Sequence, residues 1–140
     1  MRYSAIVFTR KLGEPKFLVD RRYTGESVLP NVQVTECEQN GELDRIEIPG
    51  KISMTVRLDK VFRHAVWDSA GNTCIFYLAE AGQDEAERLY DTETSLEWVN
   101  YDGVIKMIKD ETCLELLKHA MAYVAVKYCL RNPVKEFGYI

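Results

Sequence analysis

Residues 27–54 read SVLPNVQVTECEQNGELDRIEIPGKISM, and the rest of the chain is organised on either side of this stretch. A helix running through it would include Gly41 near its start and Pro49-Gly50 near its end. An interior proline costs a helix about 3 kcal/mol, because it removes a hydrogen bond and clashes with the preceding turn. Residues 45–48 alternate between polar and apolar, as a strand does. We therefore expect any helix here to be short, broken or replaced by extended chain.

The same stretch is rich in carboxylates. Hard cations such as Mg²⁺ accept oxygen ligands from loops as well as from helices, so a cluster of such side chains could hold one ion. A run of acidic residues in a loop is also typical of a solvated surface. Both interpretations apply to Glu36, Glu38, Glu42, Asp44 and Glu47.

Composition limits the class of protein. The 140 residues have the length of one ordinary domain, so we expect a single domain over residues 1–140. The net charge of −4 argues against an extended basic surface for nucleic acid, although a local basic pocket is still compatible with it. The four cysteines form no CxxC pair and are typical of free buried thiols in a reducing compartment. No run reaches the ~20 apolar residues that cross a bilayer, so we expect a cytoplasmic protein without a membrane partner.

Two β-hairpins are predicted, one on each side of the opening stretch. The first pairs residues 2–9 with residues 16–20 across a turn at Gly13-Glu14-Pro15. The second pairs residues 55–66 with residues 73–80, and its return strand is apolar enough to be central in a sheet. Residues 81–95 are acidic without an apolar period, which predicts a solvated loop before a short strand ending at Val99.

Two helices are predicted to follow. Residues 100–109 form the shorter one, with Asn100 or Asp102 available as its cap. The longer helix is predicted to begin at a capping box over residues 112–115 and to stop at Asn132-Pro133. Its apolar residues recur at spacings of three and four: Leu114, Leu117, Met121, Val124 and Tyr128.

In this order the strands and helices resemble the Nudix hydrolase fold. The second half is the more similar part: the strand at residues 75–80, then Glu93, then Glu97-Trp98-Val99 before a helix. This combination is similar to the corresponding part of diadenosine tetraphosphate hydrolases. The resemblance covers nearly the whole chain as a pattern, and it implies an α/β (α+β) fold in which a mixed β-sheet is sandwiched between helices.

The diagnostic motif of that family is the Nudix box, G-x5-E-x7-R-E-U-x-E-E-x-G-U, where U is aliphatic, usually preceded by Leu-Pro-Gly-Gly. When Leu29-Pro30 is aligned with the family's Leu-Pro, Glu38 matches the first glutamate of the box and Glu47 the glutamate of its Arg-Glu pair. An isoleucine replaces the arginine of that pair, and Gly50-Lys51 replaces the adjacent metal-binding glutamates. A shifted alignment that matches the late glycine instead retains Asp44 and Glu47. Either alignment leaves the metal site depleted.

The resemblance implies a magnesium cofactor and a nucleotide or nucleoside diphosphate derivative as the partner. In the family, carboxylates hold magnesium ions against a diphosphate and help to activate water. The expected catalytic residues are Glu38 and Glu47, and the expected metal ligands are Glu38, Glu47 and Asp44. The expected substrate-binding residues are Trp67, which would stack on a base, and Arg21, Arg63 and Lys51, which would bind phosphate.

Two functions fit these residues. The loss of the paired glutamates favours a Nudix-like module with a degenerate metal site and weak or absent catalysis, which binds a nucleotide, RNA or a protein partner. The alternative is a divergent Mg-dependent hydrolase of nucleoside diphosphate derivatives or dinucleoside polyphosphates. A third interpretation is an unrelated α+β protein.

Each candidate side chain also has an interpretation without chemistry. A tryptophan beside a turn, such as Trp67, is often only partly buried. Trp98 follows a strand and is predicted to be a core residue. A lone histidine in a strand, such as His64, is commonly structural or exposed, although it could move a proton near neutral pH.

Overall fold

The computed structural model describes residues 2–22, 29–30, 32–34, 44–48, 52–67, 70–89 and 95–134. These residues form a mixed seven-stranded sheet with three helices. The strands are β1 (Arg2–Thr9), β2 (Lys16–Asp20), β3 (Gln33–Val34), β4 (Asp44–Ile48), β5 (Ile52–Trp67), β6 (Thr73–Ala81) and β7 (Leu96–Asn100). The helices are α1 (Gln83–Arg88), α2 (Tyr101–Met107) and α3 (Glu111–Lys127).

The sheet has the strand order β3-β4-β5-β6-β1-β2-β7. β1 and β6 are parallel, and the other neighbouring strands pair antiparallel. Both predicted hairpins are confirmed, since β1 pairs with β2 and β5 pairs with β6. Gly13 and Gly71 lie in their turns with φ angles of 94° and 83°, a conformation that glycine adopts without steric cost.

Apolar side chains pack on both faces of the sheet. One layer lies between the sheet and helices α2 and α3, and the predicted apolar face of α3 contributes Leu117, Met121 and Val124 to it. The other layer contains Ala86 and Leu89, from α1 and its C-terminal end, packed with residues of β4, β5 and β7. The predicted mixed sheet between helices is therefore confirmed.

Trp98 is a core residue, as predicted. Its side chain is 5% exposed, and the indole Nε1 donates a hydrogen bond of 3.0 Å to the Ala86 carbonyl. The indole therefore connects β7 to α1 and also satisfies its own buried donor.

The prediction of a solvated loop over residues 81–95 is wrong for residues 83–88, which form α1. Among residues 82–89, which the structure describes, the buried apolar side chains are Ala86 and Leu89, and two such residues give no visible period. Asp84 and Glu85 lie in the first turn, where negative charge interacts favourably with the helix dipole. The acidic residues that suggested a loop thus stabilise the start of a helix.

The predicted limits of α3 are also wrong. The N-cap is Asp110 instead of Thr112, because the Asp110 carboxylate accepts a hydrogen bond of 2.9 Å from the Cys113 N–H. The helix ends at Lys127, before Asn132-Pro133. Cys129 adopts a φ of 55°, and the Leu130 N–H then donates to the Ala125 carbonyl at 2.8 Å, which closes the helix end. For α2, the expected cap Asn100 is confirmed by a hydrogen bond from the Gly103 N–H.

β4 lies within residues 27–54, the stretch quoted at the start of the sequence analysis. Residues 44–48 are a strand paired with β3 on one side and β5 on the other. Ile46 and Ile48 are buried, whereas Glu47 between them is exposed. The expectation of extended chain is therefore confirmed for residues 44–48, while residues 35–43 and 49–51 lie outside the described ranges.

Within the described ranges, no helix has both the length and the apolar character needed to cross a bilayer. Cys74, Cys113 and Cys129 carry free thiols, but the expected burial is wrong, since Cys74 and Cys113 are half-buried and Cys129 is exposed. Cys37 belongs to the part of the chain that is not described.

β5 contains an irregularity that reverses the orientation of its side chains. Asp59 pairs with Leu78 and His64 pairs with Phe76, so β5 advances five residues while β6 advances two. Successive side chains of a strand alternate between faces, and the three extra residues therefore exchange the faces of odd and even positions. Before the irregularity Asp59 faces α3, where it contacts Tyr123 and Lys127.

The Asp59 carboxylate holds this irregularity in place. Its Oδ1 accepts hydrogen bonds from the Val61 N–H at 3.0 Å and the Phe62 N–H at 3.3 Å. The same oxygen accepts a hydrogen bond from the Tyr123 hydroxyl at 3.1 Å, and Oδ2 lies 2.5 Å from Lys127 Nζ. Burial alone would raise the pKa of Asp59, but the hydrogen bonds from Lys127, Tyr123 and Phe62 outweigh it and lower the pKa.

We predict that Asp59→Asn lowers the free energy of unfolding by about 1–3 kcal/mol at pH 7, because hydrogen bonds to a charged acceptor are lost. The pKa of Asp59 is depressed in the folded state, so its stabilisation is complete above the ordinary aspartate pKa of about 3.9 and disappears as the pH falls through the folded value. Urea unfolding of both proteins between pH 7 and pH 2 measures the difference, which should shrink at the acidic end.

Lys118→Met removes an exposed ion pair of 3.5 Å to Glu115 and should change stability by less than about 0.5 kcal/mol. Equal losses in both variants would contradict this role for Asp59.

Candidate functional site

The far end of β5 presents a basic and an aromatic side chain on one face of the sheet. His64 and Val66 line a cavity against α3, and burial, with a smaller effect of His119, lowers the pKa of His64. Arg63, Ala65 and Trp67 alternate with them and therefore lie on the opposite face. All three are exposed, and Trp67 is 67% exposed. The structure thus brings two predicted substrate-binding residues, Arg63 and Trp67, to the same face.

Two tyrosines lie on this face beside them. Tyr3 of β1 and Tyr77 of β6 have ring centroids 6.0 Å apart with an interplanar angle of 12°, so the rings are stacked. Tyr3 pairs with Ile75, and Ala65 pairs with Ile75 from the other side. Ile75 is buried at the centre of the group. We call the surface formed by Tyr3, Arg63, Trp67 and Tyr77 the aromatic face.

The register of the strands gives the dimensions of the aromatic face. Trp67 pairs with Thr73, two residues before Ile75, and Tyr3 lies on the far side of β6. Strands are spaced by about 4.8 Å and rise by about 3.3 Å per residue, so the Cα atoms of Trp67 and Tyr3 are about 12 Å apart. One base cannot stack on both rings at this distance. The aromatic face therefore offers two separate stacking surfaces.

Arg63 supplies the positive charge of the aromatic face. The planar guanidinium matches the oxygens of a phosphate. Among the described side chains it has no salt-bridge partner. A negatively charged ligand can therefore reach it without displacing a described carboxylate.

The sequence analysis did not identify Tyr3 and Tyr77 as site residues. Each stands in a predicted strand, where an aromatic residue is ordinary. Their proximity depends on the parallel pairing of β1 with β6, which joins segments about 70 residues apart in the chain. Sequence spacing carries no signal of this pairing.

Glu47, the predicted catalytic residue that the structure describes, does not lie on the aromatic face. Glu47 alternates with Ile46 and Ile48, which belong to the apolar layer that includes α1, and it therefore lies on the other face of the sheet. Asp44 is the first residue of β4 and pairs with Val56. Glu38 and Lys51 lie outside the described residues. The predicted roles of these four residues stay predictions.

Arg21 is separated from Arg63 and Trp67. It follows β2, which is three strands away from β5 in the sheet. Its Nε lies 2.7 Å from Glu97 Oε2, so the two side chains form an ion pair. Glu97 Oε2 nevertheless accepts no hydrogen bond from the described groups. The structure therefore places Arg21 beside a carboxylate of β7.

Glu80 of β6 forms an ion pair with a basic residue. Arg10 Nε and Nη2 donate to its two carboxylate oxygens at 2.5 and 3.0 Å. The guanidinium of Arg10 also lies 3.4 Å from the centre of the Tyr128 ring, a cation–π contact. This arrangement attaches the end of α3 to β1 and β6. Glu80 is therefore an ion-pair partner of Arg10.

The described residues do not fit a magnesium ion. Across them, no three His, Cys, Asp or Glu side chains form a group that could hold a metal. Magnesium requires several oxygen ligands in near-octahedral geometry. Glu47 is the predicted metal ligand whose side chain is described, and it supplies one carboxylate.

Comparisons with known proteins support the fold. No protein-family model and no curated protein matches the chain. Among solved structures, the C. elegans Ap4A hydrolase in a binary complex is similar, with a TM-score of 0.55 and 12% sequence identity. The match covers 89% of this chain and 98% of that chain.

The fold is Nudix-like. The C. elegans protein is a Nudix enzyme, and the similarity extends over nearly the whole of both chains. At 12% identity the match establishes the architecture, while the function depends on the side chains of this chain. In this Nudix-like fold, residues 44–48 of the expected catalytic region are a sheet strand.

Proposed function

We propose that the chain binds a nucleotide derivative on the aromatic face, with bases stacked on Trp67 and on the Tyr3–Tyr77 pair and phosphate bound by Arg63. The observation that carries this proposal is the placement of exposed Trp67 and Arg63 on the same face as the stacked tyrosines. Stacking on an aromatic side chain contributes roughly 1–3 kcal/mol per base. An arginine adds charge and directed hydrogen bonds to phosphate.

A dinucleoside polyphosphate suits the aromatic face better than a mononucleotide does. The two stacking surfaces are about 12 Å apart, which calls for two bases joined by a flexible phosphate chain. Arg63 precedes His64, the partner of Phe76, and lies on the same face of the sheet as Tyr77. The name of the C. elegans protein states that it acts on Ap4A, a ligand of this class.

We further propose that catalysis is weak or absent. Glu47 lies on an exposed strand position across the sheet from Arg63 and Trp67. The residues that align with the adjacent metal-binding glutamates of the Nudix box are Gly50-Lys51. A site with so few carboxylates would hold magnesium weakly, because Mg²⁺ affinity depends on charged oxygen ligands.

We predict that Trp67→Ala weakens binding of diadenosine tetraphosphate roughly 5- to 150-fold, which corresponds to the loss of one stacked base. Calorimetry measures the affinity, and quenching of Trp67 fluorescence reports stacking, since Trp98 is buried. Arg63→Ala should weaken binding about tenfold, as expected for one charge-assisted contact.

Arg57→Ala is the matched control for Arg63→Ala. Arg57 is exposed on the same strand but precedes the irregularity, and the reversal of faces places it on the other side of the sheet. This variant should bind like the wild type. Wild-type affinity in both Trp67→Ala and Arg63→Ala would contradict the proposal. Stronger binding of a short RNA or of a protein partner would assign the aromatic face to that ligand instead.

For catalysis, we predict no cleavage of nucleoside diphosphate derivatives or dinucleoside polyphosphates above the buffer blank with Mg²⁺ or Mn²⁺. Chromatography of the nucleotide products measures the rate. Cleavage that disappears in Glu38→Gln or Glu47→Gln but persists in Glu87→Gln, an exposed position on α1, would establish the divergent hydrolase. In that case the binding prediction for Trp67 still stands separately.

A further inference from the structure

Thr73 of β6 lies beside Trp67 and has no role in the nucleotide binding proposed above. The two residues are cross-strand partners in the antiparallel pair of β5 and β6. Thr73 alternates through Cys74 with Ile75, so its side chain is on the same face of the sheet as Trp67. Directly opposite residues of antiparallel strands have Cβ atoms about 4.5–5.5 Å apart. The Thr73 side chain is therefore an immediate neighbour of the Trp67 indole.

The other described neighbours of Trp67 on this face carry no polar side chain. Ala65 precedes Trp67 by two positions on β5. Ile75 and Gly71 are its diagonal neighbours across the hairpin, on either side of Thr73. Among the described immediate neighbours of Trp67, Thr73 is therefore the one whose side chain can hydrogen-bond a base stacked on the indole.

The Thr73 hydroxyl is available to a ligand and is held in place by the strand. The side chain is half-buried, and its hydroxyl makes no hydrogen bond with the part of the chain that the structure describes. Pairing with β5 fixes the backbone of Thr73. A threonine also has few accessible χ1 rotamers, because two heavy atoms are attached to its Cβ. Orienting the hydroxyl toward a bound base therefore costs little conformational entropy.

A hydroxyl matches the edge of adenine better than the edge of guanine. It donates one hydrogen bond and can accept another. Adenine presents the N6 amino donor beside the N7 acceptor, whereas guanine presents two acceptors, O6 and N7, at the same edge. Thr73 can therefore accept from N6 and donate to N7 of adenine, but it can donate to only one of the two guanine acceptors.

We propose that Thr73 is a specificity-determining residue whose hydroxyl binds the N6–N7 edge of an adenine stacked on Trp67. This inference rests on the nucleotide binding proposed above, and it names the base that Trp67 receives. Adenine makes one more hydrogen bond than guanine at this position. One neutral hydrogen bond corresponds to a preference of about 2- to 12-fold in affinity.

The test compares the affinities of the full chain for diadenosine tetraphosphate and diguanosine tetraphosphate by calorimetry. The wild type should bind the adenine ligand more tightly. Thr73→Val keeps the shape of the side chain and removes the hydroxyl, and it should reduce the ratio of the two dissociation constants by about 2- to 12-fold. Thr73→Ser retains the hydroxyl and should keep the wild-type preference. Any contribution of the second base to the ratio is the same in all these variants.

Thr55→Val is the matched control. Thr55 is also half-buried, but it precedes the irregularity in β5 and alternates with buried Met54 and Val56, so it lies on the opposite face of the sheet. This variant should keep the wild-type ratio. An unchanged ratio in Thr73→Val, together with weaker binding in Trp67→Ala, would overturn the role of Thr73 alone. Absence of binding by the wild type, or wild-type affinity in Trp67→Ala, would contradict base stacking on Trp67 and the role of Thr73 with it.

Discussion

The structure depends on the Asp59 carboxylate, which fixes the irregularity in β5. It accepts backbone hydrogen bonds from Val61 and Phe62 and side-chain hydrogen bonds from Tyr123 and Lys127. These contacts secure the three extra residues that exchange the two faces of the strand. Without that exchange, Trp67 would face α3 and His64 would face solvent. One partly buried carboxylate thus decides which side chains form the aromatic face and which line the cavity at α3.

Local sequence predicts much of this fold, since hairpins, glycine turns and an amphipathic helix are properties of short segments. For that reason the sequence predicts the Asn100 cap, the burial of Trp98 and the strand alternation at residues 45–48. It does not predict helix α1, because only Ala86 and Leu89 are buried there, and their burial depends on Trp98 and its neighbours. The sequence predicts two of the four residues of the aromatic face. Trp67 and Arg63 have suitable chemistry, but Tyr3 and Tyr77 join them through a parallel pairing that no local pattern encodes.

The two faces of the sheet separate two kinds of chemistry. One face carries exposed rings and an arginine, which suit stacking and phosphate binding without a metal. The other carries the ion pairs that attach α3 and the histidine pair at its N-terminal half. The structural similarity to the C. elegans protein covers 89% of the chain, while Glu47 lies on a strand away from the aromatic face. Under the proposed function, the aromatic face binds a nucleotide derivative and cleavage of that ligand is weak or absent.

The most direct test of this account is a two-dimensional NMR titration of the labelled protein with diadenosine tetraphosphate, observed at the two tryptophan indole signals. Trp67 lies on the aromatic face and Trp98 in the core, so they report separately. The account predicts large shifts for the Trp67 indole and for the backbone amides of Arg63 and Tyr77, with little change at Trp98. Shifts confined to residues 111–119 or to β4, with the Trp67 indole unmoved, would contradict it.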